Sequence, residues 1–166
     1  IDITIDDRGI TKNRILMLDI LANNDWKQPI YFTGGANADE EYIWLKDYLQ
    51  LDGLAFKLVP IKTPAKYMDA NGRTREVSLF DIGRIDAEKM YANINKLDWR
   101  NINSGKIYLD EQTKRNAISM RNSLMRLSDA FAKEGDTLKA VEVLDLSLEK
   151  LPIEKFDHYS LSLGYP

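Results

Sequence analysis

The chain has 166 residues, 23 basic and 26 acidic side chains, a net charge of −3 and no cysteine. These values fit one domain or two small ones and argue against a nucleic-acid-binding domain, which is usually strongly basic. The absence of cysteine excludes disulfides, thiol catalysis and cysteine-based zinc sites. His158 is the single histidine, so we expect no metal, no cofactor and no histidine-based catalytic residue on this chain.

The first half of the sequence alternates strand and helix patterns. The predicted elements are strands at 1–5, 29–33 and 54–61 and helices at 11–23 and 39–51. This order predicts an α/β fold with a small, mainly parallel sheet and right-handed crossover connections. Because the helix at 11–23 is apolar on nearly all sides, we expect it to be buried.

Residues 62–76 form a basic segment after these elements. The segment contains Pro64 and Gly72 but no periodic apolar pattern, which is typical of a loop. Beyond it, the residue patterns predict a strand at 77–82, a helix at 86–97 and a last strand at 106–109.

A glycine turn and the basic segment together form a candidate ligand site. Its residues are Thr33, Gly34, Gly35, Lys62, Lys66, Arg73 and Arg75. Glycines after a strand let main-chain N–H groups approach an anion, and the carboxyl ends of parallel strands meet at one sheet edge. The site would therefore take an anionic or polar ligand such as a sugar phosphate. A plain tight turn and a solvated surface loop are the alternatives.

The last third of the sequence predicts a helical hairpin. Apolar residues step by three and four from Ala117 to Phe131, so they form one stripe along a helix. Gly135 ends this helix and a second amphipathic helix follows. We therefore expect two domains, an α/β domain at 1–110 and a helical hairpin at 111–166.

The hairpin resembles a tetratricopeptide unit, whose pattern is W-x2-L-G-x2-Y followed by A-x3-F and P. The matching positions are Leu124, Leu127, Ser128, Phe131, Ala140, Leu144 and Pro152. The resemblance implies that Phe131 and Leu144 are buried between the two helices. A period of about 34 residues places Leu161, Ser162 and Tyr165 in a next repeat, which would be truncated at its start. An ordinary helical hairpin is the alternative.

A longer resemblance covers most of residues 15–152. It is carried by MLDILANNDWKQPIYFT (17–33), YLQLDGLA (48–55), LVPIK (58–62), GRID (83–86), MYAN (90–93) and IYLDE (107–111). These stretches resemble the soluble C-terminal region of a bacterial multi-pass membrane family of unknown function. The membrane part of that family is similar to protein O-mannosyltransferases of the lipid-linked GT-C type. One departure is Gln28, where the family pattern has a basic residue, so no charge role is carried over to this position.

The resemblance implies a non-catalytic accessory domain on the periplasmic side of a bacterial membrane. In GT-C enzymes the catalytic carboxylate lies in a loop between membrane spans, so no catalytic residue is carried over to this chain. The implied partners are the membrane part of the same polypeptide and an acceptor polypeptide or another protein. The alternative is a self-standing α/β enzyme or binding domain for a phosphorylated or sugar ligand.

Overall fold

The computed structural model describes residues 1, 3, 10–33, 42–69, 71–78 and 81–156. The chain divides into two compact units, Ile1–Arg84 and Ile85–Pro166. The described part of the first unit contains short strands and one α-helix, whereas that of the second consists mainly of helices. The domain boundary predicted at residue 110 lies inside the second unit.

The described residues of the first unit form one α-helix, one 3-10 helix and short strands, the last of which ends at the first residue of the second unit. In chain order these are α1 (Lys12–Asn24), β1 (Tyr31–Phe32), a 3-10 helix (Ile43–Tyr48), β2 (Leu49–Asp52), β3 (Ala55–Leu58), β4 (Lys66–Met68), β5 (Thr74–Glu76) and β6 (Arg84–Ile85). The predicted helix at 11–23 and the predicted strands at 29–33 and 54–61 are confirmed. The strand predicted at 1–5 lies largely outside the described residues.

The helix predicted at 39–51 is wrong in its described part. A 3-10 helix is followed at once by β2, which pairs antiparallel with β3 and places Asp52 opposite Ala55. Gly53 has a φ of 85°, a left-handed conformation that glycine adopts without steric cost in a two-residue turn. Gly53 and Leu54 therefore form the hairpin turn, and Asp52 is the last residue of β2 and not the end of a helix.

Four strands form one sheet in the order β1-β3-β2-β6, and β3 is antiparallel to both β1 and β2. The mixed α/β content agrees with the prediction, but the expectation of a mainly parallel sheet is wrong. The physical reason is the length of the connection between β2 and β3. Parallel neighbours need a crossover of about a dozen residues or more, whereas a turn of two residues joins only antiparallel strands.

The basic segment at 62–76 contains a β-hairpin. Strands β4 and β5 form a separate two-stranded antiparallel sheet, with Lys66 opposite Glu76 and Met68 opposite Thr74. The strand predicted at 106–109 is wrong, and the strand predicted at 77–82 is wrong in its described part, since no described residue of either range is in a strand.

The core of the first unit collects side chains from β1, the 3-10 helix, β2 and β3. Its buried residues are Phe32, Tyr42, Leu45, Tyr48, Leu49, Leu58 and Ile82. The rings of Phe32 and Tyr42 stack with their centroids 5.1 Å apart, a separation at which aromatic pairs add stability beyond the area they bury.

Helix α1 is not buried, contrary to the prediction. Met17 and Leu21 pack against the core, but none of the thirteen residues of the helix is fully buried. Ile15, Leu16 and Ile20 are exposed. A helix that lies on a surface buries only one stripe of side chains, so an apolar residue on every side leaves an apolar outer face.

The described part of the second unit contains three helices, α2 (Ala87–Ile94), α3 (Glu111–Glu134) and α4 (Thr137–Lys150). Each begins after an aspartate, Asp86, Asp110 or Asp136, whose carboxylate accepts the N–H of the third residue beyond it. Gly135, at φ 87°, ends α3 in the left-handed conformation typical of a C-terminal cap. The predicted helix at 86–97 and the predicted C-terminal helical pair are confirmed.

Candidate functional site

The structure does not bring Thr33 and Lys62 of the predicted ligand site together. In the antiparallel pair of β1 and β3, Tyr31 lies opposite Lys57 and Phe32 lies opposite Phe56. The chain therefore leaves β1 at Thr33 beside the start of β3, whereas Lys62 follows the end of β3. These two residues lie at opposite ends of the strand pair, because the prediction depended on parallel strands. Gly34 and Gly35 lie outside the described residues.

Three of the predicted basic residues lie on or beside the β4–β5 hairpin. Lys66, Arg73 and Arg75 are all exposed, and the Nε of Arg75 donates to the Asp69 carboxylate at 2.6 Å. The second oxygen of Asp69 accepts the main-chain N–H groups of Asn71 at 3.0 Å and Arg73 at 2.9 Å. Asp69 therefore holds the turn of the hairpin together.

These bonds change the electrostatics of the hairpin. The guanidinium of Arg75 lowers the pKa of Asp69 below its ordinary value, and the N–H groups of Arg73 and Asn71 act in the same direction. Glu76, which follows Arg75 on β5, forms an ion pair with Lys46 in which the Nζ and the carboxylate oxygen are 3.1 Å apart. Part of the positive charge predicted for this segment is thus engaged within the chain.

The residues of the repeat-like pattern lie in the hairpin of α3 and α4. Leu124, Leu127, Phe131 and Ala140 are buried, and Phe131 and both leucines are inaccessible to solvent. Ser128 is also buried, and its hydroxyl donates to the main-chain carbonyl of Ala140 at 2.8 Å. Pro152 is half-buried just after α4.

Leu144 departs from the prediction that it is buried between the helices. Its side chain is 43% exposed, whereas Ala140, Val143 and Ser147 of the same helix are buried. Successive residues of an α-helix are rotated by about 100°. The buried stripe passes through Val143 and Ser147, so Leu144 is turned towards solvent.

Sequence reasoning missed an exposed apolar surface on α4. It consists of Leu138, Val141, Leu144 and Leu148, all of which are exposed, and we call it the α4 face. Val141, Leu144 and Leu148 follow a helical spacing of three and four residues, a signal that the sequence contains. Three acidic residues, Glu142, Asp145 and Glu149, are exposed beside this face.

A lysine connects α2 to the helical hairpin. The Nζ of Lys139 lies 2.5 Å from the Oε1 of Glu88 and 5.2 Å from the ring centroid of Phe131. The ring of Tyr91 packs edge-on against Phe131 with the centroids 5.6 Å apart. The hydrogen bond that Lys139 donates to Glu88 raises the pKa of Lys139, and a hydrogen bond with Glu142 raises the pKa of Tyr91. These contacts stabilise the packing of the three helices.

Two further properties concern the described part of the chain only. It contains no group of three or more histidine, cysteine, aspartate or glutamate side chains arranged to hold a metal ion. Within the same residues, no helix combines the length and the apolar character that crossing a membrane requires.

Comparison with known proteins places the chain in a family. No curated protein and no solved structure shows significant similarity to it. A family profile, TMEM260-associated domain 2, matches residues 1–89. The sequence resemblance implies an association with a glycosyltransferase-like membrane family, and the profile match agrees with it. Since the profile match covers more than half of the 166 residues, the chain belongs to the TMEM260-associated domain 2 family.

Proposed function

We propose that this chain is an extracytoplasmic, non-catalytic accessory domain of a membrane glycosyltransferase-like protein, and that it binds a polypeptide. The membership of the TMEM260-associated domain 2 family supports the connection with a membrane protein. The sequence resemblance to a family whose membrane part is similar to O-mannosyltransferases supports the connection with glycosyl transfer. In that arrangement the chemistry belongs to the membrane part, and this chain contributes binding.

The α4 face is the observation that carries the proposal of polypeptide binding. Leu138 is 85% exposed and Leu148 is 53% exposed, although burial of a leucine side chain contributes about 1.5–3 kcal/mol. Neighbouring apolar side chains exposed together on one helix are typical of an interaction surface. Partner helices recognise such a face through apolar residues at the same three- and four-residue spacing.

The acidic residues beside the α4 face indicate the charge of the partner. Asp145 and Glu149 are exposed along one side of the apolar residues, whereas Glu142 is hydrogen-bonded to Tyr91. Charges at the rim of an interface select partners of complementary charge and raise the association rate. We therefore propose that the bound segment is an amphipathic helix whose apolar side is flanked by lysine or arginine.

Site-specific photo-crosslinking in the membrane-anchored parent protein tests the proposal. A photoreactive amino acid replaces Leu148 on the α4 face or, as a matched control, Glu134, an exposed polar residue at the end of α3. We expect crosslinks to a polypeptide from position 148 and none above background from position 134. The crosslinked polypeptide is identified by mass spectrometry, and its affinity is then measured with purified components.

Two results would contradict the proposal. Equal crosslinking yields from positions 148 and 134 would remove the α4 face as a binding surface. Sugar transfer by the isolated chain, measured with a lipid-linked sugar donor and an acceptor peptide, would show that the chain is itself catalytic.

A further inference from the structure

The first unit contains an apolar pocket beside α1. Its volume is about 290 Å³, and it is lined by Ile1, Ile3, Leu18, Leu21, Ala22, Asn24, Trp26 and Ile30. The volume is close to the lower end of the range for small-molecule sites, which is about 300–1,000 Å³. The pocket therefore has room for one small apolar group.

Trp26 forms a wall of this pocket in an unusual backbone conformation. Asp25 has a φ of 48° and Trp26 a φ of 58°, so two successive residues other than glycine adopt the left-handed conformation. Such conformations persist only where the surroundings hold them, and they are frequent at ligand-binding sites. Trp26 as a whole is 50% exposed, so this residue is accessible to a ligand.

Asn24 is the polar residue among the aliphatic and aromatic residues that line the pocket, and its side chain forms hydrogen bonds with the turn that holds Trp26. The Nδ2 of Asn24 donates to the carbonyl of Gln28 at 2.7 Å, and its Oδ1 accepts the N–H of Gln28 at 3.1 Å. The N–H of Lys27 donates to the carbonyl of Asn24 at 2.9 Å. With Asn24 engaged by the main chain, the other lining side chains offer only hydrocarbon and the indole ring.

We propose that this pocket binds an alkyl chain of a lipid. A lining of aliphatic side chains favours an alkyl group over a sugar or a charged ligand, because those would lose hydrogen bonds with water. Tryptophan beside aliphatic residues is typical of surfaces that contact lipid at the membrane interface. Ile15, which is exposed two turns before Ala22, extends this apolar side of α1.

Membership of a family named after a membrane protein supports a lipid as the ligand, and in this respect the inference rests on the proposed function. The inference does not depend on polypeptide binding by the α4 face, which lies in the other compact unit. Loss of lipid binding by the pocket and loss of polypeptide binding by the α4 face can therefore be measured separately.

Titration with a short-chain lipid tests the inference directly. The probe is dihexanoylphosphatidylcholine below its micelle-forming concentration, and glycerophosphocholine is the matched probe without alkyl chains. We expect the lipid to shift the methyl NMR signals of Leu18, Leu21 and Ile30 saturably, with no shift from glycerophosphocholine. The methyl signal of Ile94, buried in the second unit, should not move with either probe.

Two variants connect the binding to this pocket. Ala22→Phe places a ring where the alkyl chain would lie, and Trp26→Ala removes a wall. We expect each to weaken lipid binding about tenfold or more, which corresponds to the loss of one well-buried apolar contact. Ala132→Phe is the matched control, since Ala132 is an exposed helical alanine of α3. Circular dichroism checks the fold of each variant.

Several results would overturn the inference. The titration of the wild-type chain would overturn it if the lipid caused no saturable shift of the methyl signals. The same holds if glycerophosphocholine caused the same shift. Acetyl-leucine amide binding as tightly as the lipid would make the occupant a protein side chain. If Ala22→Phe does not fold, the test rests on Trp26→Ala. A folded variant that binds the lipid with the affinity of the wild type would exclude this pocket as the binding site.

Discussion

The hydroxyl of Ser128 on α3 donates a 2.8 Å hydrogen bond to the main-chain carbonyl of Ala140 on α4. Both residues are buried, so the two helices approach closely enough for a side chain of one to reach the backbone of the other. Only small side chains allow this distance between neighbouring helices. The pair therefore sets the spacing of the two helices near the turn that joins them.

Replacing Ser128 separates the effect of the hydrogen bond from the effect of size. We expect Ser128→Ala to lower the free energy of unfolding by about 0.5–1.5 kcal/mol, the usual net value of one hydrogen bond. Ser128→Leu should cost more, because the larger side chain forces the helices apart, with a typical penalty of about 1–3 kcal/mol or above. Urea unfolding followed by circular dichroism measures both, and equal destabilisation would contradict the close approach.

Phe131 and Leu144 should differ strongly in their contribution to stability. Phe131 is inaccessible to solvent, whereas Leu144 is 43% exposed. Phe131→Ala should reduce the free energy of unfolding by about 3–5 kcal/mol because it leaves a cavity. Leu144→Ala should cost less than about 1 kcal/mol, as is usual for surface positions. Thermal unfolding of the two variants gives the comparison. A Phe131→Ala midpoint equal to that of the wild type would show that the hairpin core is assigned incorrectly.

Two glycines offer a matched test of backbone strain and packing. Gly83 and Gly72 have φ values of 82° and 74°, so alanine at either position should cost about 1–2 kcal/mol from the left-handed backbone alone. At Gly83 the added Cβ would also lie 3.2 Å from the Phe56 ring and 3.4 Å from the carbonyl oxygen of Leu49. At Gly72 no atom lies within 4 Å. In chemical unfolding, Gly83→Ala should therefore have a lower free energy of unfolding than Gly72→Ala. The reverse order would contradict the packing around Gly83.

The β4–β5 hairpin should lose order in acid. The pKa of Asp69 is lowered below its ordinary 3.8, chiefly by the Arg75 guanidinium. A lowered folded pKa means that the unfolded hairpin binds the proton more readily. The stabilisation is therefore complete above the ordinary value and is lost as the pH falls through the lower, folded value.

Amide NMR signals of Asn71 and Arg73 measure this transition, since both N–H groups donate to Asp69. We expect protection of these amides to decrease as Asp69 is protonated. Asp69→Asn keeps an oxygen acceptor but removes the charge, so it should abolish the pH dependence. A hairpin that retains the same acid transition in Asp69→Asn would exclude Asp69 as its cause.

The helices were predicted well where local signals and periodicity agree. An aspartate cap, a stripe with a spacing of three and four, and a terminal glycine together define the hairpin up to Gly135. The position of Leu144 could not be obtained in this way, because both Val143 and Leu144 continue an apolar pattern. Which of the two is buried depends on where α3 lies, and that is a tertiary property.

The sheet was predicted poorly because its pairing is not local. The stretch from Leu49 to Asp52 fits a helix as well as a strand, and only its partner β3 decides between them. The error had a consequence for function, since parallel strands were the reason for joining the glycine turn to Lys62. The pocket beside Trp26 could not be predicted at all, because no residue pattern indicates two successive left-handed residues at Asp25 and Trp26.

The connection between α3 and α4 consists of only Gly135 and Asp136. The residues that pack together in this hairpin are thus close in sequence, whereas β1 must find β3 more than twenty residues further along the chain. Structures rich in local contacts fold fast because closing their short loops costs little entropy. Sheets whose strands are distant in sequence fold more slowly. The hairpin is therefore the part of this chain expected to nucleate first during refolding, with the sheet assembling in a later kinetic phase.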